Sequence, residues 1–194
     1  MKNINLFFEE VSHSIKNIDK KKIYNLILEL RKLQKNGGRL VILGVGGSAA
    51  NASHAVNDFR KICKIDAYTP VDNVAELTAR TNDEGWETVF IAWLKTFKLN
   101  KKDKILIFSV GGGNLAKKVS TNIIYAIKYA KRCNAKVLSV VGKKDGYSYK
   151  NSNVCVYIPV SNKNKVTPVT EAFQSIIWHL LVSHPILQKN KTKW

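Results

Sequence analysis

Apolar residues recur at three- and four-residue spacing over 4–18 (Ile4, Leu6, Phe7, Val11, Ile15, Ile18) and again over 22–34 (Ile23, Leu26, Ile27, Leu30, Leu33). That period predicts two amphipathic helices at the start of the chain. The turn Lys35-Asn36-Gly37-Gly38 ends the second, and beyond it the pattern changes. Short unbroken apolar runs at 40–45, 105–110, 136–142 and 154–160, with a weaker one near 65–71, read as strands. Helical patterns occupy about 49–62, 73–82, 85–98, 115–133 and 168–184. Strands that are apolar on both faces and separated by helices predict an α/β fold, a flavodoxin-like three-layer αβα sandwich around a mostly parallel five-stranded sheet. In such a sheet ligands sit at the C-terminal ends of the strands. No linker, repeat or low-complexity tract divides the pattern, so residues 1–194 are expected to form one domain, with 189–194 as a polar tail.

Composition adds exclusions more than directions. A chain of 194 residues with 45% hydrophobic content is long enough to bury one proper core. No apolar run reaches the length of a membrane span, and the N-terminus has no signal-peptide apolar segment, so neither a membrane partner nor secretion is expected. Cys63, Cys133 and Cys155 are odd in number and form no CxxC pair, which argues against a disulfide framework or a cysteine metal site and for a reducing cytoplasm. The net charge of +18 would ordinarily point to nucleic acid. Here the excess is mostly lysine beside many Asn and Ile residues, a pattern of AT-rich coding on solvated faces. Only five arginines occur, Arg31, Arg39, Arg60, Arg80 and Arg132, and no aromatic stacking residues are interleaved with them. No nucleic-acid partner is expected.

Two strand ends carry glycine clusters. The first is Leu43-Gly44-Val45-Gly46-Gly47-Ser48, where an apolar run feeds a tight turn and a helix start. Unpaired N–H groups and the positive end of a helix dipole make such a junction suited to an anion, although an ordinary βα turn has the same composition. The second is Phe108-Ser109-Val110-Gly111-Gly112-Gly113-Asn114, again leading from strand to helix. Side by side, two such turns form a pocket rich in backbone donors that suits a small phosphorylated molecule, unless the triple glycine merely relieves a crowded turn. Neither is followed by Gly-Lys-Ser/Thr, so neither is a Walker loop. Gly44 to Ala49 fits the looser dinucleotide spacing, but no acidic residue closes a convincing second strand to hold a ribose.

Among ionisable residues, His54 and Asp58 stand four apart and share one helix face, as a metal pair, an acid–base pair or a simple surface contact would. Near the C-terminus, Thr167-Pro168-Val169-Thr170-Glu171 opens a helix that carries His179 among Ile, Trp and Leu, where a core histidine is the plain expectation. Glu171 suits the first turn of that helix through the dipole alone.

In this order and spacing, the Gly-Gly-Ser turn, His54-x-x-x-Asp58, Thr81-Asn82-Asp83, Ser109 to Asn114, Glu171 and His179 resemble the sugar isomerase (SIS) domain family. Within it the likeness is to the phosphoheptose isomerases. The resemblance covers nearly the whole chain and implies an enzyme, an intramolecular aldose–ketose isomerase. Its reaction would interconvert D-sedoheptulose 7-phosphate and D-glycero-D-manno-heptose 7-phosphate through an enediol, supplying heptose for surface polysaccharide. It further implies a cytoplasmic homotetramer packed through the helices in 1–36, with active sites between subunits and one zinc ion per subunit. By the same resemblance His54, Asp58, Glu171 and His179 hold the zinc, and Asp58 and His179 move protons. Val45, Gly46, Gly47, Ser48, Asp58, Asn82, Asp83, Ser109, Val110, Gly111, Gly112, Gly113, Asn114 and Glu171 contact the sugar phosphate. This chain departs from the family pattern at Val45 (usually Asn), in the Ser109–Asn114 turn (usually Ser-Thr-Ser-Gly-Asn-Ser), at Asp58 (usually Glu) and at Glu171 (usually Gln). A sugar phosphate other than a heptose, or a non-catalytic sugar-phosphate-binding role, is the alternative. Eight residues separate Glu171 from His179, about 12 Å along a straight helix. That is long for one tetrahedral ion, so either Glu171 precedes the regular helix or two subunits complete the site.

Overall fold

A computed structural model describes residues 1–191. Five strands, β1 (Leu40–Leu43), β2 (Ala67–Tyr68), β3 (Lys104–Ser109), β4 (Lys136–Val141) and β5 (Val154–Tyr157), form one sheet in the order β2-β1-β3-β4-β5, with every pair parallel. The expected sheet was mostly parallel; the observed one is wholly so. Because each parallel step needs a crossover, helices cover both faces.

On one face lie α2 (Lys20–Lys35), α3 (Gly47–Cys63) and α8 (Val166–Ser183), packed on Leu40, Ile42, Leu106, Phe108, Leu138, Val140 and Val156. On the other lie α5 (Val89–Thr96) and α6 (Thr121–Arg132), packed on Val41, Leu43, Ile105, Ile107 and Val137. The alternation of these strand residues between the two cores is the period-two geometry of a pleated strand. The leading helix α1 (Lys2–Asn17) rests on the first core through Phe7 and Val11, while Ile4, Leu6, Phe8 and Ile15 stay exposed. Helices α4 (Val74–Glu84) and the short α7 (Tyr147–Asn151) complete the count among the described residues.

Ion pairs lock the N-terminal edge of the sheet. Glu29 of α2, 8% exposed, receives hydrogen bonds from Lys104 at the start of β3 and Lys136 at the start of β4. Burial by itself would raise the Glu29 pKa; the bonds from Lys104, Lys136 and Lys32 instead draw it down to about 2. Burial in turn pulls the Lys104 ammonium below its usual range, against the opposing pull of Glu29.

Several boundaries differ from the sequence reading. Residues 115–120 are not helical: Asn114 and Val119 form an antiparallel bridge, Lys118 and Ser120 adopt left-handed backbone conformations, and α6 begins only at Thr121. Helix α5 starts at Val89 rather than near 85, since Gly85–Thr88 forms a turn with Thr88 N bonded to Gly85 O. Pro168 sits inside the first turn of α8, where its missing N–H has no helical partner to lose. The expected polar tail begins fastened, because the N–H groups of Lys189 and Asn190 both donate to Ile62 O. Residues 192–194 of that tail lie outside the described residues.

Candidate functional site

The first glycine turn sits where β1 hands over to α3, at the C-terminal edge of the sheet. Gly46 and Gly47 are exposed there, whereas the Ser48 side chain is buried at 1% exposure. Helix α8 crosses this point, and the Glu171 carboxylate lies against Gly47: a Cβ on Gly47 would come within 2.5 Å of Glu171 Oε2. The carboxylate therefore occupies the positive end of α3. Its backbone is held as well, since Asn51 Nδ2 donates to Glu171 O at 2.9 Å and to Gln174 Oε1 at 3.1 Å.

Two turns further along, α3 and α8 bring together His54, Asp58 and His179, whose ligand atoms lie within 4.8 Å of one another. Asp58 is buried at 2% exposure, and its Oδ1 accepts from Asn57 Nδ2 at 2.9 Å. His54 Nε2 is 3.9 Å from Asp58 Oδ2. Both imidazoles are exposed, so His179 is a surface residue and not the core histidine its apolar neighbours predict. It escapes the core because Ile176 and Leu180 beside it, 48% and 39% exposed, share its face, while Ile177, Trp178 and Leu181 point inward. His179 Nδ1 lies 2.8 Å from Ser175 O, and a carbonyl only accepts, so Nδ1 carries a proton and, in the neutral ring, Nε2 is the acceptor. The buried Trp178 ring underlies both imidazoles, with centroids 3.4 Å from His179 and 4.6 Å from His54.

Glu171 does not join this cluster within one chain. Helix α8 is continuous from Val166 to Ser183, so Glu171 does not precede the regular helix and stands more than two turns from His179. Of the two arrangements open to the sequence, the one in which Glu171 precedes the regular helix is therefore not observed. Cys63, one turn from the cluster, is no nucleophile: burial and then the neighbouring Asp58 carboxylate push its thiol up to about 12.

The second turn is crowded, which accounts for two of its three glycines. Gly112 and Gly113 have φ of +70° and +83°, and a Cβ on Gly113 would come within 2.7 Å of Ile124. The chain at 146–148 packs directly on this turn, with Tyr147 N bonded to Gly113 O and Ser148 N to Gly112 O. Ser109, 6% exposed, uses its Oγ to accept from Gly112 N at 3.0 Å, so it braces the turn. Val110 is half-buried, and Asn114 Oδ1 caps its own loop by accepting from Lys117 N at 2.9 Å. A cavity of about 110 Å³ opens beside Gly111, lined also by Lys117 and Lys143. A separate cavity of about 330 Å³ runs from Val45 and Gly46 to Val71, Leu77 and Trp86. Asn82 and Asp83 lie exposed on the last turn of α4 and bond to each other at 2.8 Å, away from the His54 cluster's ligand atoms. Sequence reasoning missed Lys117, Lys143 and Trp178. Only the lysines carried a signal, as cations following a glycine turn or a strand end.

A parallel αβα sandwich with glycine turns at the C-terminal ends of β1 and β3, and two exposed imidazoles beside a buried carboxylate at the seam of α3 and α8, is an architecture suited to binding a small molecule at that edge of the sheet. Residues 6–142 match the SIS domain family model, and the chain belongs to that family. The chain is 30% identical over 155 residues to the lincomycin biosynthesis protein LmbN of Streptomyces lincolnensis, covering 76% of this chain and 56% of that protein. It is 28% identical over 129 residues to a phosphoheptose isomerase of Cytophaga hutchinsonii, covering 64% of each. It thus spans less than two thirds of either relative. The fold superposes on phosphoheptose isomerase GmhA from Neisseria gonorrhoeae with a TM-score of 0.79 at 20% identity, covering 93% of this chain and 95% of that one. The family match ends before Glu171 and His179, whose placement rests on α8 alone.

Proposed function

We propose that the protein is a sugar-phosphate isomerase acting on D-sedoheptulose 7-phosphate to give D-glycero-D-manno-heptose 7-phosphate, in the supply of heptose for surface polysaccharide. The observation that carries this reading is the His54–Asp58–His179 cluster, which sets two exposed imidazoles over a buried carboxylate at the seam of α3 and α8. Relatives named phosphoheptose isomerase support the choice of substrate.

The chemistry needs a base that takes a proton from the carbon beside the carbonyl and returns it to the neighbouring carbon, with charge stabilised on the oxygen between the two transfers. No oxidant or co-reactant enters. His179 suits the proton transfer where no metal is bound, since Ser175 O holds Nδ1 and leaves the Nε2 lone pair free; a metal on Nε2 would take that lone pair and exclude this role. Asp58, buried and bonded to Asn57, orients the pair and balances an imidazolium at His54 or His179. Glu171 and the Gly46-Gly47 turn line the sugar.

The cluster fits a divalent metal such as zinc. Two imidazoles and one carboxylate form an accepted donor set, and the Nδ1–H to carbonyl bond of His179 is the arrangement that aims Nε2 at a metal. His54, Asp58 and His179 would hold the ion, which when bound polarises the sugar carbonyl. Glu171 would join them only from a partner subunit. Exposed Ile176 and Leu180 beside His179, and the exposed apolar residues of α1, support packing of copies around the site as a homotetramer. Among the described residues no helix is long and apolar enough to cross a membrane.

The altered second turn, in which Ser109 is committed to Gly112 N, favours one other reading, a different sugar phosphate. NMR of products from seven-, six- and five-carbon ketose phosphates separates the two. Turnover of the seven-carbon substrate that is lost in His179→Ala with the fold intact supports the proposal; turnover by His179→Ala at the parent rate removes it.

A further inference from the structure

Gly111 has no structural reason to be glycine. Its φ is not positive, and a Cβ built on it meets nothing within 4 Å, unlike its neighbours Gly112 and Gly113. What a side chain there would occupy is the cavity of about 110 Å³ into which Gly111, Gly113 and Asn114 open. At about 30 Å³ per water molecule, that space holds one tetrahedral anion. It is far below the roughly 300–1,000 Å³ of pockets that enclose a whole ligand. It is the size of a group, not of a molecule.

The cavity's ionisable lining is Lys117, Lys143 and Asp145, a net charge of one positive. The two lysines arrive on different segments. Lys117 stands on the loop closed by the Asn114–Val119 bridge, with bonds of 2.9 and 3.0 Å between those two residues and Asn114 Oδ1 capping Lys117 N. Lys143 follows Gly142, whose N–H donates to Val110 O at 3.0 Å. The two segments are thus fastened to the same glycine turn, one by its own bridge and the other by the Gly142, Tyr147 and Ser148 bonds. This pre-sets the spacing of the two backbone segments that carry the lysines before any anion arrives.

We propose that Lys117 and Lys143 form a two-segment clamp that holds a phosphate group against the unsubstituted backbone of Gly111, in place of side-chain hydroxyls. The inference rests on the sugar-phosphate reading and deepens it by naming the groups that hold the phosphate. A clamp of two ammonium groups differs from a cradle of hydroxyls in one measurable respect. Its affinity falls with salt, because the attraction of solvent-accessible charges is screened over about 10 Å at 0.1 M ionic strength.

The test is binding of inorganic phosphate to the full chain, followed by calorimetry and by 31P NMR at low salt and at 0.5 M NaCl. Lys117→Gln and Lys143→Gln should each weaken phosphate about tenfold, the scale of one charge-assisted bond, and flatten the salt dependence. Gly111→Val should fill the cavity and abolish binding with an unchanged melting temperature, since its Cβ meets no protein atom. Lys118→Gln, next in sequence but outside the cavity lining, should bind like the parent. Parent-like binding by both Lys117→Gln and Lys143→Gln, an equal loss in Lys118→Gln, or no binding by the parent protein would overturn the clamp. Phosphate binding that depends on both lysines, with no turnover of any sugar phosphate, would remove the isomerase reading and leave the clamp standing.

Discussion

Replacing Gly47 by alanine displaces the Glu171 carboxylate without substituting Glu171, and Glu171→Gln beside it separates that displacement from the effect of the new methyl on the turn. The new Cβ would lie 2.5 Å from Glu171 Oε2, where ordinary contact begins near 3.4 Å, so the carboxylate must retreat by about 1 Å. The obstacle is the end of a flexible side chain rather than backbone, and Gly47 has no positive φ, so α3 itself need not move. Stability should barely change. Alanine in a helix gains about 0.5–1 kcal/mol over glycine, and withdrawing a carboxylate from a helix N-terminus loses about 0.3–1 kcal/mol. The two nearly cancel. At roughly 2–4 °C per kcal/mol for a chain of this size, the melting temperature should stay within about 4 °C of the parent. Activity should not be spared, because a displacement of about 1 Å at a reacting site costs on the order of a hundredfold in rate. The assay is kcat/KM by NMR on sedoheptulose 7-phosphate, paired with a thermal melt, with Glu171→Gln as the variant that keeps the shape and removes the charge. Parent-like kcat/KM in Gly47→Ala would show that the Glu171 carboxylate over α3 is not part of the machinery. A melting temperature lowered by 8 °C or more would refute the premise that only the side-chain end gives way.

Loss of either imidazole should be visible in metal content: His54→Ala and His179→Ala protein, purified without chelators, should carry little zinc by mass spectrometry while the parent carries about one ion per chain, and zinc-free parent protein would refute the ligand set. Glu29→Gln leaves the buried Lys104 ammonium without its carboxylate, a loss of about 3–5 kcal/mol, or roughly 6–20 °C in melting temperature by calorimetry; a change under 2 °C would mean that Lys104 finds another partner or sheds its proton at little cost. Glu29 also sets an acid limit. Its folded pKa of about 2 lies below the ordinary 4.5, so its contribution is complete above pH 4.5 and is lost as pH falls towards 2. The shift bounds that contribution at about 3 kcal/mol. Urea melts between pH 6 and 2.5 should show Glu29→Gln and the parent converging as the pH drops, and a constant gap would contradict the assignment.

The fold was legible because the central strands β1, β3 and β4 are apolar on both faces. Runs such as 105–110 have no polar face, and only a sheet with helices on both sides buries them, as Leu106 and Phe108 in one core and Ile105 and Ile107 in the other confirm. Where the reading failed, a local backbone event outweighed composition. Residues 115–120 have a helical look in Leu115-Ala116-Lys117-Lys118, yet the left-handed residues at 112, 113, 118 and 120 steer the chain into a bridged loop that no period reveals.

The site was legible in its residues and not in its depth or grouping. His54 and Asp58 were paired by helical spacing, and the structure keeps that pair, but burial separates the partners: the carboxylate is at 2% exposure and the imidazole is open. His179 inverted the expectation from its neighbours, because Ile176 and Leu180 are apolar yet exposed on its face of α8, and a single sequence writes exposed and buried apolar faces in the same letters. Glu171 shows the same limit in another form. Spacing said that it was far from His179, and the continuous helix makes that distance real within one chain, so its carboxylate serves the turn at Gly47 locally. If it also serves a metal, the donor cluster it completes belongs to another copy. The two candidate roles of Glu171 therefore predict different partners for one substitution. Gly47→Ala moves the carboxylate in the same chain, so a mixture of Gly47→Ala and His179→Ala chains refolded together should recover activity only if the Glu171 and the His179 that act together come from two different chains. Activity recovered in such mixtures would place the site between subunits, and activity no higher than that of either variant alone would place it within one.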